Sequence, residues 1–274
     1  MNKRYLILLV IMGLITLSGI MTSCAGGGNA TIPGTNAENT AELRTALENE
    51  QSRVIYLTGD VYDMTDLVIP SGKSLIGPNS PDYPAQLSKR GSCVLMPSPD
   101  ATSGALIRIN AFSDVVKDVK VSGVKFQLPE DYEWDNMHEF FMVFIQGNSE
   151  EASSTLSNIT IENCTFDYTT APDAPEGRDL STGISVNTTE ITKAENITIK
   201  NNTFLMKTSN TDCSFGAILI NGTANDPEKG IFISGNKIYG GLPNTGRAPF
   251  GIIIESPNTV GASSRQNDTL HVKL

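Results

Sequence analysis

Charged side chains are concentrated in the long polar stretches that separate the apolar segments of this sequence. Clustered carboxylate oxygens are the ligands that Ca²⁺ prefers. Arginine and lysine side chains could neutralise a bound carboxylate or remove an adjacent proton. The candidate calcium ligands are Asp173, Glu176 and Asp179, and the candidate catalytic residues are Arg178, Lys207 and Arg247.

The chain's single tryptophan, Trp134, stands close to Asp135 and His138, and Asp212 occupies a later polar stretch. A tryptophan ring presents a flat apolar face that can stack on a ring-shaped ligand, while neighbouring polar groups can hydrogen-bond it. These four residues are candidate substrate-binding residues. Two other interpretations stay open, since Trp134 could simply pack its own loop, and isolated charges on loops are usually just solvated.

The elements that must position these stretches recur along the chain at intervals of 34 to 41 residues. Equivalent positions of a first segment are Ile109, Ile145, Val186, Ile220 and Ile254. Equivalent positions of a second segment are Val121, Ile161, Ile199 and Ile233. Both segments alternate apolar and polar residues, which is the period of a β-strand with one buried face.

A sharp corner is predicted directly after each second segment. Its column contains glycine and asparagine alone, which tolerate a left-handed backbone better than other residues. The four corner positions are Gly123, Asn163, Asn201 and Gly235. An apolar column at Phe126, Phe166, Phe204 and Ile238 then predicts a third, short strand.

A single repeat of this kind cannot bury its apolar side chains, but stacked copies can enclose one core. The chirality of parallel crossovers favours a right-handed winding. The predicted fold class is therefore all-β, a right-handed parallel β-helix (solenoid) with a short N-terminal capping helix. The polar column Asn110, Gln146, Asn187, Asn221 and Glu255 is predicted to be structural, because stacked amides pair along such a helix.

The capping helix is predicted from a capping box, because Asn39 is followed three residues later by Glu42. Leu43, Ala46 and Leu47 share one face of that helix, which would hide the open edge of the first turn. Short strands are predicted to follow at Val54–Leu57, Leu67–Ile69, Ser74–Ile76 and Cys93–Met96.

The first residues predict export. A positive start is followed by an apolar run to Thr22, which is typical of a secretory signal. Met-Thr-Ser-Cys at 21–24 resembles the lipobox of bacterial lipoproteins, which implies a signal peptide at 1–23 and lipidation of Cys24. Residues 24–37 are predicted to be a flexible tether and 38–274 the β-helix domain. The alternative is an N-terminal transmembrane anchor.

The formal net charge of −10 disfavours nucleic acid as a partner. The remaining cysteines lack the spacing of a metal site and are predicted to be small buried residues. These cysteines are Cys93, Cys164 and Cys213. The sequons at Asn158, Asn196 and Asn221 are interpreted as turn chemistry.

The stretch at 38–77, together with the Asn-Ile-Thr-Ile repeats at 158–166 and 196–204, resembles the pectate-lyase-like superfamily of β-helix proteins. The resemblance implies that a ligand lies along the first strands, between the loops at 128–141, 168–182, 207–215 and 239–250. It implies no single activity, since that superfamily includes lyases, hydrolases and adhesins. No complete catalytic motif is present, because Arg247-Ala248-Pro249 resembles the start of a lyase motif but Ile252 stands where its second arginine belongs.

The resemblance to a lipobox implies a lipid-anchored protein of the bacterial cell envelope, expected at the outer membrane. The resemblance to the β-helix superfamily implies that this protein binds polysaccharide and could cleave it. A lyase would use calcium as a cofactor to acidify a sugar acid. A glycoside hydrolase would instead use two facing carboxylates from among Asp135, Glu139 and Asp212. The alternative function is a non-enzymatic surface adhesin or scaffold.

The C-terminal end is predicted to be an open β edge. Residues 250–256 should stack on 217–221, and 270–274 should form a strand of the second type with no corner or cap after it. An uncovered β edge invites pairing with another chain. The prediction is therefore either a truncated form of a longer β-helix or self-association through this edge.

Overall fold

Three parallel β-sheets surround one core in the computed structural model of the protein. The structure describes residues 33–63, 65–87, 93–97, 104–111, 115–132, 139–147, 154–172, 180–188, 192–207, 214–221, 230–240, 250–255 and 271–273. The prediction of an all-β solenoid is confirmed, and α1 (Thr40–Glu48) is the one helix among these residues.

From β2 to β19, each turn contributes a strand to sheet 2, then to sheet 3, then to sheet 1. Sheet 1 contains β4 (Leu67–Val68), β7 (Ala105–Ala111), β10 (Glu139–Gly147), β13 (Leu180–Asn187), β16 (Ser214–Asn221) and β19 (Phe250–Glu255). Sheet 2 contains β1 (Thr35–Ala37), β2 (Val54–Leu57), β5 (Ser74–Ile76), β8 (Val115–Ser122), β11 (Thr155–Glu162), β14 (Lys193–Lys200) and β17 (Ile231–Ser234). Sheet 3 contains β3 (Val61–Asp63), β6 (Val94–Met96), β9 (Lys125–Gln127), β12 (Thr165–Asp167), β15 (Thr203–Leu205), β18 (Lys237–Tyr239) and β20 (His271–Lys273).

Equivalent residues pair across neighbouring strands in the register that the sequence repeat predicted. In sheet 2, Ile161 pairs with Val121 on one side and with Ile199 on the other. The same alignment holds at the far end of sheet 1, where Ile220 of β16 pairs with Ile254 of β19. The repeat spacing therefore sets the strand register directly.

A stack of aromatic rings in sheet 3 joins successive turns within the core. The ring centroid of Phe166 lies 4.9 Å from that of Phe126 and 4.7 Å from that of Phe204, with nearly parallel planes. All three rings are fully buried. Burying one phenylalanine side chain contributes about 1.5–3 kcal/mol, so the predicted apolar column is a main source of cohesion between turns.

The corner column has the left-handed backbone that its residue types predicted. The φ angle is +55° at Asn163 and at Asn201, +70° at Gly123 and +62° at Gly235. Glycine adopts this region without strain, and asparagine adopts it more readily than other residues with a side chain. The corner between sheets 2 and 3 thus follows from the Gly/Asn column.

Replacing Asn201 by valine should lower the free energy of unfolding by about 1–2 kcal/mol, because a β-branched residue resists positive φ. The Asn201→Gly variant is the matched control and should stay within about 0.5 kcal/mol of the native protein. Urea unfolding of both variants measures the difference. Equal stability of the valine and glycine variants would contradict this account of the corner.

A second left-handed column lies inside the strands of sheet 2, at a point where two polar residues in succession interrupt the apolar alternation. Asp118, Asn158 and Asn196 have φ angles of +57°, +53° and +56°. Their side chains are joined in a chain of hydrogen bonds, from Asn196 Nδ2 to Asn158 Oδ1 at 3.2 Å and from Asn158 Nδ2 to Asp118 Oδ1 at 2.9 Å. The sequons at Asn158 and Asn196 therefore mark bends in the backbone, as interpreted from the sequence.

The predicted N-cap is confirmed at Asn39, while Glu42 reaches back to Glu38, one residue beyond the N-cap that a capping box would use. Asn39 Oδ1 accepts from the backbone N–H of Glu42 at 3.0 Å, and Glu42 Oε2 accepts from the backbone N–H of Glu38 at 2.8 Å. The apolar face of the helix, with Leu43 and Leu47, is buried against the first turn. The helix thus closes the N-terminal end of the core.

A buried lysine holds the other end of this helix. Lys73 Nζ donates to the carbonyls of Ala46 at 3.3 Å and Ser52 at 2.9 Å, and it also donates to the carbonyl of Asn49. Burial lowers the pKa of Lys73 from its ordinary value. A cation at a helix C-terminus is favourable for the helix dipole, so Lys73 fastens the cap to sheet 2.

The N-terminal strands follow the prediction with small differences. The strands β2 and β5 have the predicted bounds, while β4 and β6 are each one residue shorter than predicted. The three-residue strands β1 and β3 had not been predicted. The strand β1 lies within the segment 24–37 assigned to the tether and pairs with β2 in the register Thr35↔Ile55.

The prediction for the C-terminal strand was wrong in one respect. Residues 270–274 had been assigned to the second strand type, but β20 pairs with β18 in sheet 3, with Val272 opposite Ile238. The sequence His-Val-Lys repeats the polar-apolar-polar pattern of Lys-Ile-Tyr, and the 34-residue interval matches the one before it. Self-association through the C-terminal edge stays a prediction.

No helix in the described part of the chain is long and apolar enough to cross a membrane. The predicted signal peptide, the lipidated Cys24 and the start of the tether lie outside the described residues.

Candidate functional site

Two aromatic side chains of sheet 1 point away from the main core. On β10, Met142 and Val143 are both buried in that core, whereas Phe141 and Phe144 form a separate cluster with Ala105 of β7. The strand therefore departs from strict alternation at Met142 and places both phenylalanines on the outer face. Their rings stack with centroids 4.7 Å apart, so this face has a rigid aromatic element.

An arginine covers this aromatic element and is itself held by an acid. The guanidinium carbon of Arg108 lies 5.5 Å from the centroid of the Phe144 ring, a cation–π arrangement. The Nε atom of Arg108 also forms an ion pair with Asp66 Oδ1. The charge of Arg108 is therefore opposed by a neighbouring carboxylate.

A row of side-chain amides runs across the same sheet. The register aligns Asn110, Gln146, Asn187 and Asn221 on four neighbouring strands, followed by Glu255 of β19. All four amides are partly exposed. Neighbouring parallel strands lie about 4.8 Å apart, so the row offers a regular series of donors and acceptors along the axis of the solenoid.

This row differs from the asparagines that hold the fold together. At the corner between sheets 2 and 3, the fully buried Asn202 donates from Nδ2 to Asn236 Oδ1 at 3.0 Å, so those amides pair along the solenoid. The predicted pairing of the sheet 1 amides is not seen, because no hydrogen bond joins them in the described part of the structure. The Asn110 Oδ1 atom is buried and has no hydrogen-bond partner. The row therefore keeps hydrogen-bonding capacity for another molecule.

A threonine hydroxyl on this sheet also lacks a partner. Thr182 is fully buried, and its Oγ1 makes no hydrogen bond. It pairs in register with Phe141 on one side and Gly216 on the other. A Cβ on the next residue, Gly183, would meet the core ring of Phe204 at 2.8 Å, so Thr182 faces away from the core. Buried polar groups normally have partners, so Thr182 is an exception on this face, although its hydroxyl is not exposed.

The loops between sheets 3 and 1 are tied to one another where they begin. Thr170 Oγ1 donates to the carbonyl of Leu128 at 2.7 Å, and Lys207 Nζ donates to the carbonyl of Ala171 at 2.6 Å. Asp167 accepts from Thr169 and forms an ion pair with Lys125 at 3.0 Å. Three consecutive loops are thereby held in order beside sheet 1.

The sequence analysis predicted site residues in these loops. The structure describes one of them, Lys207, whose side chain contacts Ala171 near the start of the predicted loop at 168–182. The other predicted residues lie outside the described residues, namely Asp173, Glu176, Asp179, Arg178, Arg247, Trp134, Asp135, His138 and Asp212. Among the residues that are described, no group of three or more metal-binding side chains comes together.

A charged cluster that the sequence analysis missed lies on the outer face of sheet 2. Glu162 is almost fully buried and forms ion pairs with Lys120 at 2.6 Å and Lys200 at 3.1 Å. Lys120 also contacts Asp82 at 2.7 Å. Lys200 stands directly opposite Glu162 in the repeat alignment, which is the signal that could have revealed the pair.

The ion pairs control the protonation of Glu162. Burial tends to raise the pKa of this carboxyl, but hydrogen bonds from Lys120 and Lys200 outweigh that effect, and the pKa is lowered from its ordinary value. Because its carboxylate already has cationic partners on both sides, Glu162 is a structural group that ties three turns together.

Two cysteines are buried, as predicted, and neither forms a disulfide. Burial raises the pKa of the Cys164 thiol to about 12 and that of the Cys93 thiol to about 12. Both thiols are therefore protonated at neutral pH and are poor nucleophiles. Cys213 lies outside the described residues.

Similarity to a protein of known activity would suggest a function for this surface. No protein-family model matches the chain. Searches of curated proteins and of solved structures also find no match. The outer face of sheet 1 is consequently interpreted from its own chemistry, which combines stacked aromatic rings, a row of amides and an unpaired hydroxyl.

Proposed function

We propose that the protein is a pectate-lyase-like β-helix that binds polysaccharide along the outer face of sheet 1 at the bacterial cell envelope. The parallel solenoid supplies a regular surface, and the amide row repeats across it at the strand spacing. A polysaccharide is also a regular chain, and it presents hydroxyl groups that both donate and accept hydrogen bonds.

The observation that carries the proposal is the contrast between the amide row of sheet 1 and the asparagines elsewhere in the solenoid. Asn158 and Asn196 of sheet 2 hydrogen-bond each other, and so do Asn202 and Asn236 at the corner between sheets 2 and 3. The amides of sheet 1 are partly exposed, and those in the described part make no such bonds. These amides do not stabilise the fold by bonding one another, so they can form hydrogen bonds with a ligand.

Affinity electrophoresis of the full chain against immobilised polysaccharides tests this proposal. The double variant Gln146→Ala/Asn187→Ala should lose roughly tenfold or more in affinity, since each lost hydrogen bond costs about 0.5–1.5 kcal/mol and 1.4 kcal/mol is tenfold. The matched control is Thr160→Ala/Thr198→Ala on the outer face of sheet 2, which should bind normally. Equal affinity of both double variants would place the site elsewhere.

Cleavage is a separate part of the proposal and rests on the loop residues. The residues proposed to act on the bound polymer are Arg178, Lys207 and Arg247. If the reaction is that of a lyase, which leaves an unsaturated product, calcium would be held by Asp173, Glu176 and Asp179. The same panel, monitored for absorbance of unsaturated products with and without calcium, distinguishes a lyase from a hydrolase and from a protein that only binds.

The cell-envelope location is supported by the lipobox-like sequence that ends at Cys24. A Cys24→Ala variant should move from the membrane fraction to the soluble fraction and lose incorporation of a labelled lipid precursor. A Ser23→Ala variant serves as the control and should remain in the membrane fraction. Retention of the Cys24→Ala variant in membranes would indicate an uncleaved transmembrane anchor instead.

A further inference from the structure

We infer that the polysaccharide bound by sheet 1 is uncharged, a chain of neutral sugars with free hydroxyl groups. This inference rests on the proposed function, and it concerns the chemical class of the ligand rather than the existence of the site. A neutral sugar has no carboxylate to acidify the proton that a lyase removes, so this inference restricts any cleavage to hydrolysis. The charges and hydrogen-bonding groups on the described part of this face carry it.

The outer face of sheet 1 offers partly exposed amides where a site for sugar acids needs cations, and its hydroxyl residues Thr182 and Ser185 are buried. Between β7 and β16 the outward positions of its described side chains carry one charged group, Arg108, and the carboxylate of Asp66 opposes it. The remaining outward positions are the four partly exposed amides and a set of buried residues, namely Ala105, Phe141, Phe144, Thr182, Ser185, Gly216 and Leu219.

An amide is suited to a hydroxyl, because it can donate to one lone pair and accept from another hydroxyl at the same time. A sugar carboxylate would use the donors alone and would leave the amide oxygens without a partner. Since unpaired buried acceptors are costly, a row of four amides discriminates in favour of neutral hydroxyl groups.

The location of the charged cluster supports the same conclusion. On sheet 2, Lys120 and Lys200 form ion pairs with Glu162 and Asp82, so neither lysine is left to bind a sugar acid. The whole chain carries a net charge of −10, so its field repels a polyanion at low salt. Neutral glycans meet no such barrier.

The test compares neutral glucans and mannans with polygalacturonate and alginate, using the full chain in detergent at low and high salt. The native protein should bind at least one neutral polymer with an affinity that changes less than twofold with salt. Its affinity for each polyuronate should be at least tenfold weaker. An Asn187→Lys variant should narrow that difference by gaining polyuronate binding, while Thr198→Lys on sheet 2 should not.

Each result decides the matter. Preferential, salt-sensitive binding of a polyuronate by the native protein, with or without calcium, would overturn this inference and leave the proposed function intact. Binding of neither class would overturn the proposed function and this inference with it. Preference for a neutral polymer that survives Gln146→Ala/Asn187→Ala would show that neutral selectivity does not come from the amide row, and this inference would be wrong.

Discussion

Replacing Asn202 by leucine should lower the free energy of unfolding by about 2–5 kcal/mol, a large part of the stability of a typical domain. Asn202 is fully buried at the corner between sheets 2 and 3. Its Oδ1 accepts from the backbone N–H of Cys164, and its Nδ2 donates to the carbonyl of Ile161, each at 3.0 Å. Leucine has a similar size but can make neither bond.

The expected loss follows from the groups left behind. The N–H of Cys164 and the carbonyl of Ile161 would remain buried without these partners, and each such group costs about 1–3 kcal/mol. Urea unfolding gives the difference directly. The control is Thr198→Leu, on a partly exposed position of β14, which should change stability by about 0.5 kcal/mol or less. A similar small change in Asn202→Leu would mean that the buried asparagines do not stabilise the solenoid.

The second large effect is expected at Glu162 and depends on pH. At pH 7, Glu162→Gln should destabilise the protein by about 1–3 kcal/mol. This is below the cost of breaking a fully buried pair because Lys120 and Lys200 are 31% and 42% exposed. Removal of the carboxylate leaves two lysines facing each other across β11, and water screens their repulsion only in part.

The sign of the pH dependence follows from the lowered pKa of Glu162 in the folded protein. Its contribution is present in full above the ordinary pKa of a glutamate, and it is lost as the pH falls through the lower pKa of the folded state. The difference between native protein and Glu162→Gln should therefore shrink when urea unfolding is repeated at progressively lower pH below about 4.5. Asp167, whose pKa is also lowered, is present in both proteins, so its titration cancels. A difference that stays constant down to pH 3 would show that charge does not explain the effect.

The fold could be predicted because the repeat is written in the side chains that face the core. Ile161 and its equivalents recur at the interval that stacking requires, and their alternation gives strand type and register together. The corner was predictable from Asn163 and Asn201, since few residue types accept positive φ. The apolar alternation and the conformational preferences of single residues therefore account for the core and for the corner between sheets 2 and 3.

Features that depend on contacts between distant residues could not be predicted in the same way. At Asp118 two polar residues in succession interrupt the apolar alternation, but such an interruption does not by itself predict a left-handed backbone. The strands β1 and β3 have three residues each and owe their existence to pairing with neighbours. The C-terminal strand was misassigned because a short alternating segment fits any of the three sheets.

The candidate site was predicted less completely than the fold. The sequence indicated the correct column of amides, but it predicted a structural role because it could not show whether those amides bond one another. The ion pair between Arg108 and Asp66 joins residues 42 positions apart, and no pattern in the chain announces it. Loop charges such as Arg178 and Asp179 have no repeat to position them, so their roles stay predictions.

Carbene footprinting of the full chain, with and without a saturating neutral glucan oligosaccharide, tests the central claim that the outer face of sheet 1 is the binding surface. The label reacts with exposed side chains and reports where a ligand covers them. Labelling should fall at Asn110, Gln146, Asn187 and Asn221 and stay unchanged at Thr160 and Thr198 on sheet 2. Protection confined to sheet 2 or sheet 3, or no protection on any sheet, would contradict the claim.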